Sequence, residues 1–194
     1  MVPRWDHPNE DALAGPRPSP GEGVRGARAG AAGERKRPRG SAHDRALNLL
    51  SFRDRSRREL ERRLLQAGYE GDEVADALAA LERSGLVDDV RFARSVVEQE
   101  AGRRLSGRRA VASALAARGV DRDAARAALD GLADPAEERR RADALARARA
   151  GRLAGLPPEV AHRRLTGLLA RRGYPPGVAR DAARRALGLD PAED

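Results

Sequence analysis

The sequence predicts an all-α protein in which three tandem three-helix repeats form an elongated, curved array behind a disordered basic tail. From Ser41 onward, apolar residues recur three and four positions apart with charged residues between them. A short motif that ends a helix recurs three times at almost equal spacing. Apolar residues make up 40% of the chain but aromatic residues only 3%, so the core is lean and suits a stack of small units.

The chain divides by composition into a tail and three repeats. Residues 1–40 are rich in proline, glycine and arginine. Such a segment buries too little apolar surface to offset the entropy lost on ordering, so we predict that it is disordered. We place the first three-helix repeat at residues 41–88, the second at 89–133 and the third at 134–194.

The recurring motif is a helix that ends at a glycine. Gly68, Gly119 and Gly173 are spaced 51 and 54 residues apart. Apolar residues four and eight positions before each glycine share one helix face. The glycine supplies the left-handed conformation that ends a helix, and the next residue can fold back onto that face. In chain order, the apolar residues are Leu60, Leu64 and Tyr69, then Val111, Leu115 and Val120, then Leu165, Leu169 and Tyr174.

In the first repeat, we predict a first helix over residues 42–52. Ser56 and Glu59 form a capping-box signature that begins the second helix. Glu59 and Arg63 are expected to pair on the outer face of that helix. The third helix ends at Gly85. The side chains that we expect to face the core are Leu60, Leu64, Leu65, Val74, Leu78 and Leu81.

In the later repeats, acidic and hydroxyl side chains mark the helix starts. Asp89, Ser106 and Asp121 are predicted N-caps for the three helices of the second repeat. Asp134, followed by a proline and then an acid, begins the first helix of the third repeat. We expect the inward residues after Asp89 to be Phe92, Val96 and Val97. The last two helices are predicted from Pro157/Pro158 to Arg172 and from Pro175/Pro176 to Leu187.

The residues that usually carry catalysis are sparse. There are no cysteines, and His7, His43 and His162 are far apart in sequence. The adjacent pair Asp88 and Asp89 points in different directions on a helix, and one of the two is expected to be an N-cap. No apolar stretch approaches the roughly 18 residues of a membrane span. We therefore predict a cytoplasmic protein that is not an enzyme and holds no metal or cofactor.

The formal net charge of +8 suits a polyanionic partner, and nearly all of the positive charge is arginine. Arginine pairs bidentately with phosphate or carboxylate, so a repeated basic stripe could follow a polymeric partner. The alternative is a solvated surface enriched in arginine by genome composition. Basic clusters flank the second helix of each repeat, and the candidate contacts are Arg53, Arg55, Arg57, Arg58, Arg62, Arg63, Arg103, Arg104, Arg108, Arg109, Arg163, Arg164, Arg171 and Arg172.

These motifs resemble those of the RecX family, the regulators of the RecA recombinase. Residues 85–93, with the sequence GLVDDVRFA, are similar to the most distinctive motif of that family. Residues 50–69 are similar to its opening motif, in which spaced arginines precede Ser-x-x-Glu-Leu and a final Gly-Tyr. Residues 115–120 and 169–174 resemble the ends of its later repeats. The resemblance extends over residues 42–187.

The resemblance implies a cytoplasmic protein that binds RecA filaments on DNA. Members of the family lodge in the filament groove and suppress strand exchange and ATP hydrolysis, which limits recombination and the SOS response. For this chain it implies a monomer that contacts RecA, with some arginines near DNA phosphates. The sequence departs from the family pattern at Glu98 and Glu100, where arginine is common, and at Ala114, where an acid is usual.

Two other classes of function remain open. A stand-alone helix-turn-helix protein would use the second and third helices of a repeat to bind DNA. Its recognition helices would be short and alanine-rich, without the side chains expected to contact base edges. The third class is a plain helical scaffold without a filament partner.

Overall fold

The computed structural model describes residues 39–189, and every regular element in that range is helical. The predicted disordered tail, residues 1–40, lies outside the described residues except for its last two positions. Between residues 39 and 189, no helix combines the length and apolar character that crossing a bilayer requires. The α-helices are α1 (Ala42–Phe52), α2 (Arg57–Gln66), α3 (Gly71–Arg83), α4 (Asp89–Val97), α5 (Arg108–Ala117), α6 (Arg122–Asp130), α7 (Pro135–Ala150), α8 (Pro158–Arg171) and α9 (Pro176–Ala186).

The helices form three successive groups, α1–α3, α4–α6 and α7–α9, and each group packs around its own apolar core. Helix α4 continues into a π-helix over Glu98–Arg103, and α7 continues into a short 3-10 helix over Gly151–Leu153. This arrangement confirms the predicted all-α fold of tandem three-helix repeats. The apolar residues four and eight positions before each glycine stop are all buried, namely Leu60, Leu64, Val111, Leu115, Leu165 and Leu169.

The glycine stops are formed as predicted. Gly68, Gly119 and Gly173 have φ values of +94°, +68° and +86°. After Gly68, the backbone N–H of Tyr69 donates to the carbonyl oxygen of Leu64 at 3.3 Å. The same bond recurs after the other two glycines, and it satisfies a carbonyl at the helix end that has no partner within the helix. The residue after each glycine is thereby folded back and buried.

Two predictions for α2 are wrong. Leu65 is 46% exposed instead of facing the core, because adjacent helical residues point about 100° apart and Leu64 already occupies the inward position. Glu59 does pair with Arg63, but its side chain is buried beneath the surface and not on the outer face. The capping-box serine acts as expected, since the hydroxyl oxygen of Ser56 accepts from the Glu59 N–H at 3.1 Å.

The helix starts of the second repeat also differ from the prediction. Asp88 is the N-cap of α4 and accepts from two backbone N–H groups, whereas Asp89 is the first helical residue. Gly107, not Ser106, is the N-cap of α5. The Ser106 hydroxyl is buried and donates to Glu100 at 3.3 Å. Asp121 is the N-cap of α6 as predicted.

Paired prolines set the starts of the last two helices. Pro157 and Pro175 are N-caps, and α8 and α9 begin at the second proline of each predicted pair. A proline disfavours helical geometry in the residue before it, so the second proline of each pair is the first that can be helical. Asp134 caps α7 as predicted, by accepting from Ala136 N–H at 2.8 Å.

Candidate arginine surfaces at the repeat junctions

Adjacent repeats meet through one recurring contact. The N-terminus of the second helix in one repeat lies on the glycine stop of the second helix in the next repeat. At the first junction, the Ser56 hydroxyl donates to the Arg118 carbonyl at 2.5 Å. At the second, the Gly107 N–H donates to the Arg172 carbonyl at 2.8 Å. This contact brings arginines from neighbouring repeats to the same places on the surface.

An acid from the first helix of the following repeat reinforces each junction. One Asp89 carboxylate oxygen accepts from the Arg57 N–H at 2.9 Å, and the other accepts from the Asp121 N–H at 3.0 Å. Glu138 plays the corresponding part at the second junction by accepting from the Arg108 N–H at 3.1 Å. A carboxylate is favoured at a helix N-terminus, where backbone N–H groups lack partners within the helix. The conspicuous Asp88–Asp89 pair is thus engaged by backbone donors.

Several of the predicted contact arginines are committed within the first repeat. Glu59 Oε1 accepts from Arg53 at 2.6 Å, Arg55 at 2.5 Å and Arg63 at 3.0 Å. Arg55 is itself buried and also donates to the Leu49 carbonyl. Burial opposes ionisation of Glu59, but the hydrogen bonds from the three arginines outweigh it and hold the pKa of the carboxyl below 4.5. This cluster stabilises the repeat.

The first arginine groove lies at the junction of repeats 1 and 2. Its volume is about 430 Å³, and it is lined by Arg58 of α2, Arg108 of α5, and Arg122 and Arg126 of α6. No carboxylate is among its lining residues within the described chain. Arg62 lies beside Arg58 along α2, near the exposed Leu65. This groove presents arginine side chains next to apolar surface.

The junction cavity lies between repeats 2 and 3 and has a volume of about 780 Å³. Glu100 is the one carboxylate among its described lining residues, and its buried side chain already accepts from Arg104 at 2.9 Å and from Ser106. The family departure at Glu100 therefore serves the interior of the repeat. The arginines that line the cavity are Arg103, Arg104, Arg149, Arg152 and Arg172.

A second basic cavity, the α7–α8 cavity, adjoins the first and has a volume of about 440 Å³. Arg149 and Arg152 line both cavities, so the two form one continuous basic region. The remaining arginines of the smaller cavity lie on α8, and no carboxylate is among its described lining residues. They are Arg163, Arg164 and Arg171.

The structure separates the predicted arginines that sequence order had grouped into stripes. Arg103 and Arg104 line the junction cavity, whereas Arg108 lines the first arginine groove and Arg109 is exposed outside both. Arg57 is held by Glu82 at 2.9 Å. Four further arginines line these cavities and were not among the predicted contacts, because they lie on the first or third helix of a repeat or directly after it. They are Arg122, Arg126, Arg149 and Arg152. The signal available in the sequence was their helical spacing, which is i to i+4 for the first two and i to i+3 for the last two.

Nothing in residues 39–189 forms a cluster of three or more His, Asp or Glu side chains suited to a metal ion. The arginine-lined groove and cavities are the candidate functional surfaces. Arginine recognises phosphate and carboxylate groups through paired N–H donors.

Comparison with known proteins identifies the family. The model of the first RecX three-helix domain matches residues 42–81, and that of the second matches residues 88–129. The regulatory protein RecX of Thermobifida fusca is 41% identical over 148 residues, which cover 76% of this chain and 79% of the relative. That of Mycolicibacterium smegmatis is 43% identical over 139 residues, which cover 70% and 73%.

A solved structure shows the same fold. The crystal structure of RecX from Lactobacillus salivarius is similar with a TM-score of 0.65 and 23% identity, over 77% of this chain and 96% of that one. With the sequence relatives above 40% identity and the two matched domains, this leads to one conclusion. The chain belongs to the RecX family of regulatory proteins.

Proposed function

We propose that this chain acts in the cytoplasm as a monomer that binds RecA filaments on DNA and inhibits their recombinase and ATPase activities. It would thereby restrain DNA recombination, DNA repair and the SOS response. The observation that supports the proposal most strongly is the 41% identity to a regulatory protein RecX over three quarters of the chain. RecA is the partner that the family implies.

The distribution of arginines is consistent with such a partner. The first arginine groove and the α7–α8 cavity present guanidinium groups with no carboxylate among the described residues that line them. Acidic side chains of a protein or phosphates of DNA would complement this charge. A filament repeats its surface at regular intervals, so a chain of three similar repeats can present similar contacts to successive subunits. Arg53, Arg55, Arg57 and Arg63 are left out of the contact, because intramolecular carboxylates already bind them.

The test is the rate of ATP hydrolysis by RecA on single-stranded DNA, with this protein added at substoichiometric ratios. Suppression well below one protein per RecA supports filament binding, because each molecule then affects many subunits. No suppression by excess protein, with RecA from the same organism, contradicts the proposal. Sequence-specific binding to naked duplex DNA in that case would favour the stand-alone helix-turn-helix alternative.

A pair of matched variants locates the contact. Arg163→Glu with Arg164→Glu reverses two exposed charges of the α7–α8 cavity. We expect it to raise the concentration needed for half-inhibition about tenfold or more, since a tenfold change corresponds to roughly 1.4 kcal/mol of binding energy. Arg139→Glu with Arg147→Glu is the control, because these exposed α7 residues line neither this cavity nor the junction cavity. Equal effects of both variants would show that only net charge matters.

A further inference from the structure

The junction cavity is bordered by two unusual stretches of backbone. The π-helix Glu98–Arg103 contributes Glu100 and Arg103 to its lining. Leu105, which also lines it, has a φ of +49° and is the one non-glycine residue with positive φ among residues 39–189. Both π-helical turns and left-handed non-glycine residues are costly and concentrate at functional sites. Two such features at one cavity point to a site that is more than a packing gap.

The third repeat fixes this strained segment in place. The Tyr174 hydroxyl donates to the Leu105 carbonyl at 2.8 Å, and Arg172 donates to the Arg104 carbonyl at 2.9 Å. The Ser106 N–H donates to the Glu100 carbonyl at 2.8 Å. The wall from Arg103 to Ser106 is therefore positioned before any ligand arrives, which reduces the entropy that binding must overcome.

The protein balances only part of the charge at this cavity, where Arg104 is paired with Glu100 at 2.9 Å. Arg149 and Arg152 have no carboxylate within 4.0 Å in the described part of the chain. Arg103 has only Glu98, at 3.9 Å, and both side chains are largely exposed. Arg57, by contrast, is held by Glu82 at 2.9 Å. Arg149 and Arg152 line the cavity without such a partner, so their guanidinium groups repel one another, and a multivalent anion would relieve that repulsion.

We propose that the junction cavity binds a compact polyphosphate anion, of the kind found in the triphosphate group of a nucleotide. Arg103 and Arg104 reach it from repeat 2, and Arg149, Arg152 and Arg172 reach it from repeat 3. A triphosphate concentrates several negative charges in one small group, whereas a nucleic acid strand carries one charge per nucleotide. The volume of about 780 Å³ lies within the range of roughly 300–1,000 Å³ typical of small-molecule sites.

Such a ligand would act as a clamp between repeats. The cationic groups that hold it belong to both sides of the junction, so the ligand is bound only while repeats 2 and 3 keep this arrangement. Binding to the folded state alone raises the apparent stability in proportion to the logarithm of ligand concentration. Leu145 and Ala148 form an apolar part of the lining that a nucleotide base can contact. This site is additional to the filament contact, and its test requires no RecA.

The experiment is calorimetric titration of the full chain with inorganic triphosphate at constant ionic strength, followed by ATP and by a short oligothymidylate. We expect saturable binding of one triphosphate. Arg149→Gln with Arg152→Gln, and separately Arg103→Gln, should each weaken it about tenfold or more, because each change removes charged donors to the phosphates. If ATP binds more tightly than inorganic triphosphate, the base also contacts the apolar lining. If the two bind equally, the site recognises the phosphates alone.

Two control variants keep the proposal falsifiable. Arg139→Gln with Arg147→Gln removes the same charge from α7 outside the cavity, and Arg163→Gln with Arg164→Gln alters only the α7–α8 cavity. Both should leave the triphosphate affinity unchanged, and circular dichroism should show that every variant is folded. The proposal is overturned by the absence of saturable triphosphate binding, by equal losses in the controls, or by binding of the oligonucleotide alone.

Discussion

The N–H of Gly107 donates to the carbonyl oxygen of Arg172 at 2.8 Å, which joins the start of α5 to the end of α8. Each group supplies what the other helix end lacks, because the first N–H and the last carbonyl groups of a helix have no partner within it. The two backbone segments approach so closely that a Cβ atom on Gly107 would lie 2.6 Å from the carbonyl carbon of Gly173. This spacing makes the second junction sensitive to a single methyl group.

Gly107→Ala should therefore destabilise the protein. The added methyl group would meet backbone atoms, which cannot move aside as a flexible side chain can. We expect a loss of about 1–3 kcal/mol in the free energy of unfolding, measured by urea denaturation. Gly71→Ala is the control, because a Cβ atom there has nothing within 4 Å. Equal stability of the two variants would contradict the close packing of this junction.

Glu59→Gln should be more costly than a surface change on the same helix. Removing the charge leaves the buried Arg55 guanidinium without its counterion, and breaking such a buried pair costs about 3–5 kcal/mol. Glu61→Gln is the matched control, since Glu61 is 44% exposed and lies 3.7 Å from Arg57. Urea denaturation near neutral pH should separate the two variants clearly. A similar small loss in both would show that the Glu59 cluster contributes little.

The same carboxyl predicts an acid-dependent loss of stability. Because the pKa of Glu59 is lowered by folding, its contribution is present above the unfolded value near 4.5 and is lost as the pH falls through the folded pKa. The wild-type protein should thus lose stability below about pH 5 more steeply than Glu59→Gln does. Thermal unfolding measured across this range provides the comparison. Parallel curves would mean that other carboxyls account for the acid sensitivity.

Asp89→Asn and Asp88→Asn should differ although the residues are adjacent. Asp89 uses both carboxylate oxygens, for the N–H groups of Arg57 and Asp121, and an asparagine has only one oxygen. One donor then loses its partner, at a cost of about 1–3 kcal/mol. Asp88 is an N-cap that accepts through one oxygen, Oδ1, and asparagine caps about as well. Denaturation of both variants tests this, and equal losses would contradict the bridging role.

Tyr174→Phe should weaken the second junction, whereas Tyr69→Phe should have little effect. The Tyr174 hydroxyl donates to the Leu105 carbonyl at 2.8 Å, and its loss costs about 1 kcal/mol. The Tyr69 hydroxyl lies 3.5 Å from the Arg39 carbonyl, at the limit of a hydrogen bond. Urea denaturation of each variant gives the comparison. A larger loss for Tyr69→Phe would place the stronger contact in the first repeat.

Alkaline titration gives a second measure of the Tyr174 environment. Burial raises the pKa of Tyr174 to about 12 from an ordinary value of 10.0. The buried, protonated Tyr174 phenol therefore contributes to the free energy of unfolding. This contribution is fully present below the unfolded pKa of 10.0 and is lost as the pH rises through the folded pKa of about 12. Absorbance near 295 nm should show one phenol that ionises late in the wild-type protein and is missing from Tyr174→Phe. Ionisation of Tyr174 near pH 10 would contradict this burial.

The sequence alone determined the features that depend on neighbours along the chain. The helices, the three glycine stops and the N-caps at Ser56, Asp121 and Asp134 follow from helical periodicity and local hydrogen bonding, and they are found as predicted. These interactions join residues at most a few positions apart, so their geometry is implicit in the spacing. The repeat itself follows from the recurrence of that spacing.

Only the tertiary structure decided what happens between helices distant in sequence. Asp89 binds two N–H groups 32 residues away on either side, and Arg149 lies at one cavity with Arg103 although 46 positions separate them. Local spacing cannot specify such meetings, because they depend on how the repeats pack. The same packing divides the basic clusters between two junctions. A charged residue can pair in many ways along a helix, and the tertiary contact selects one.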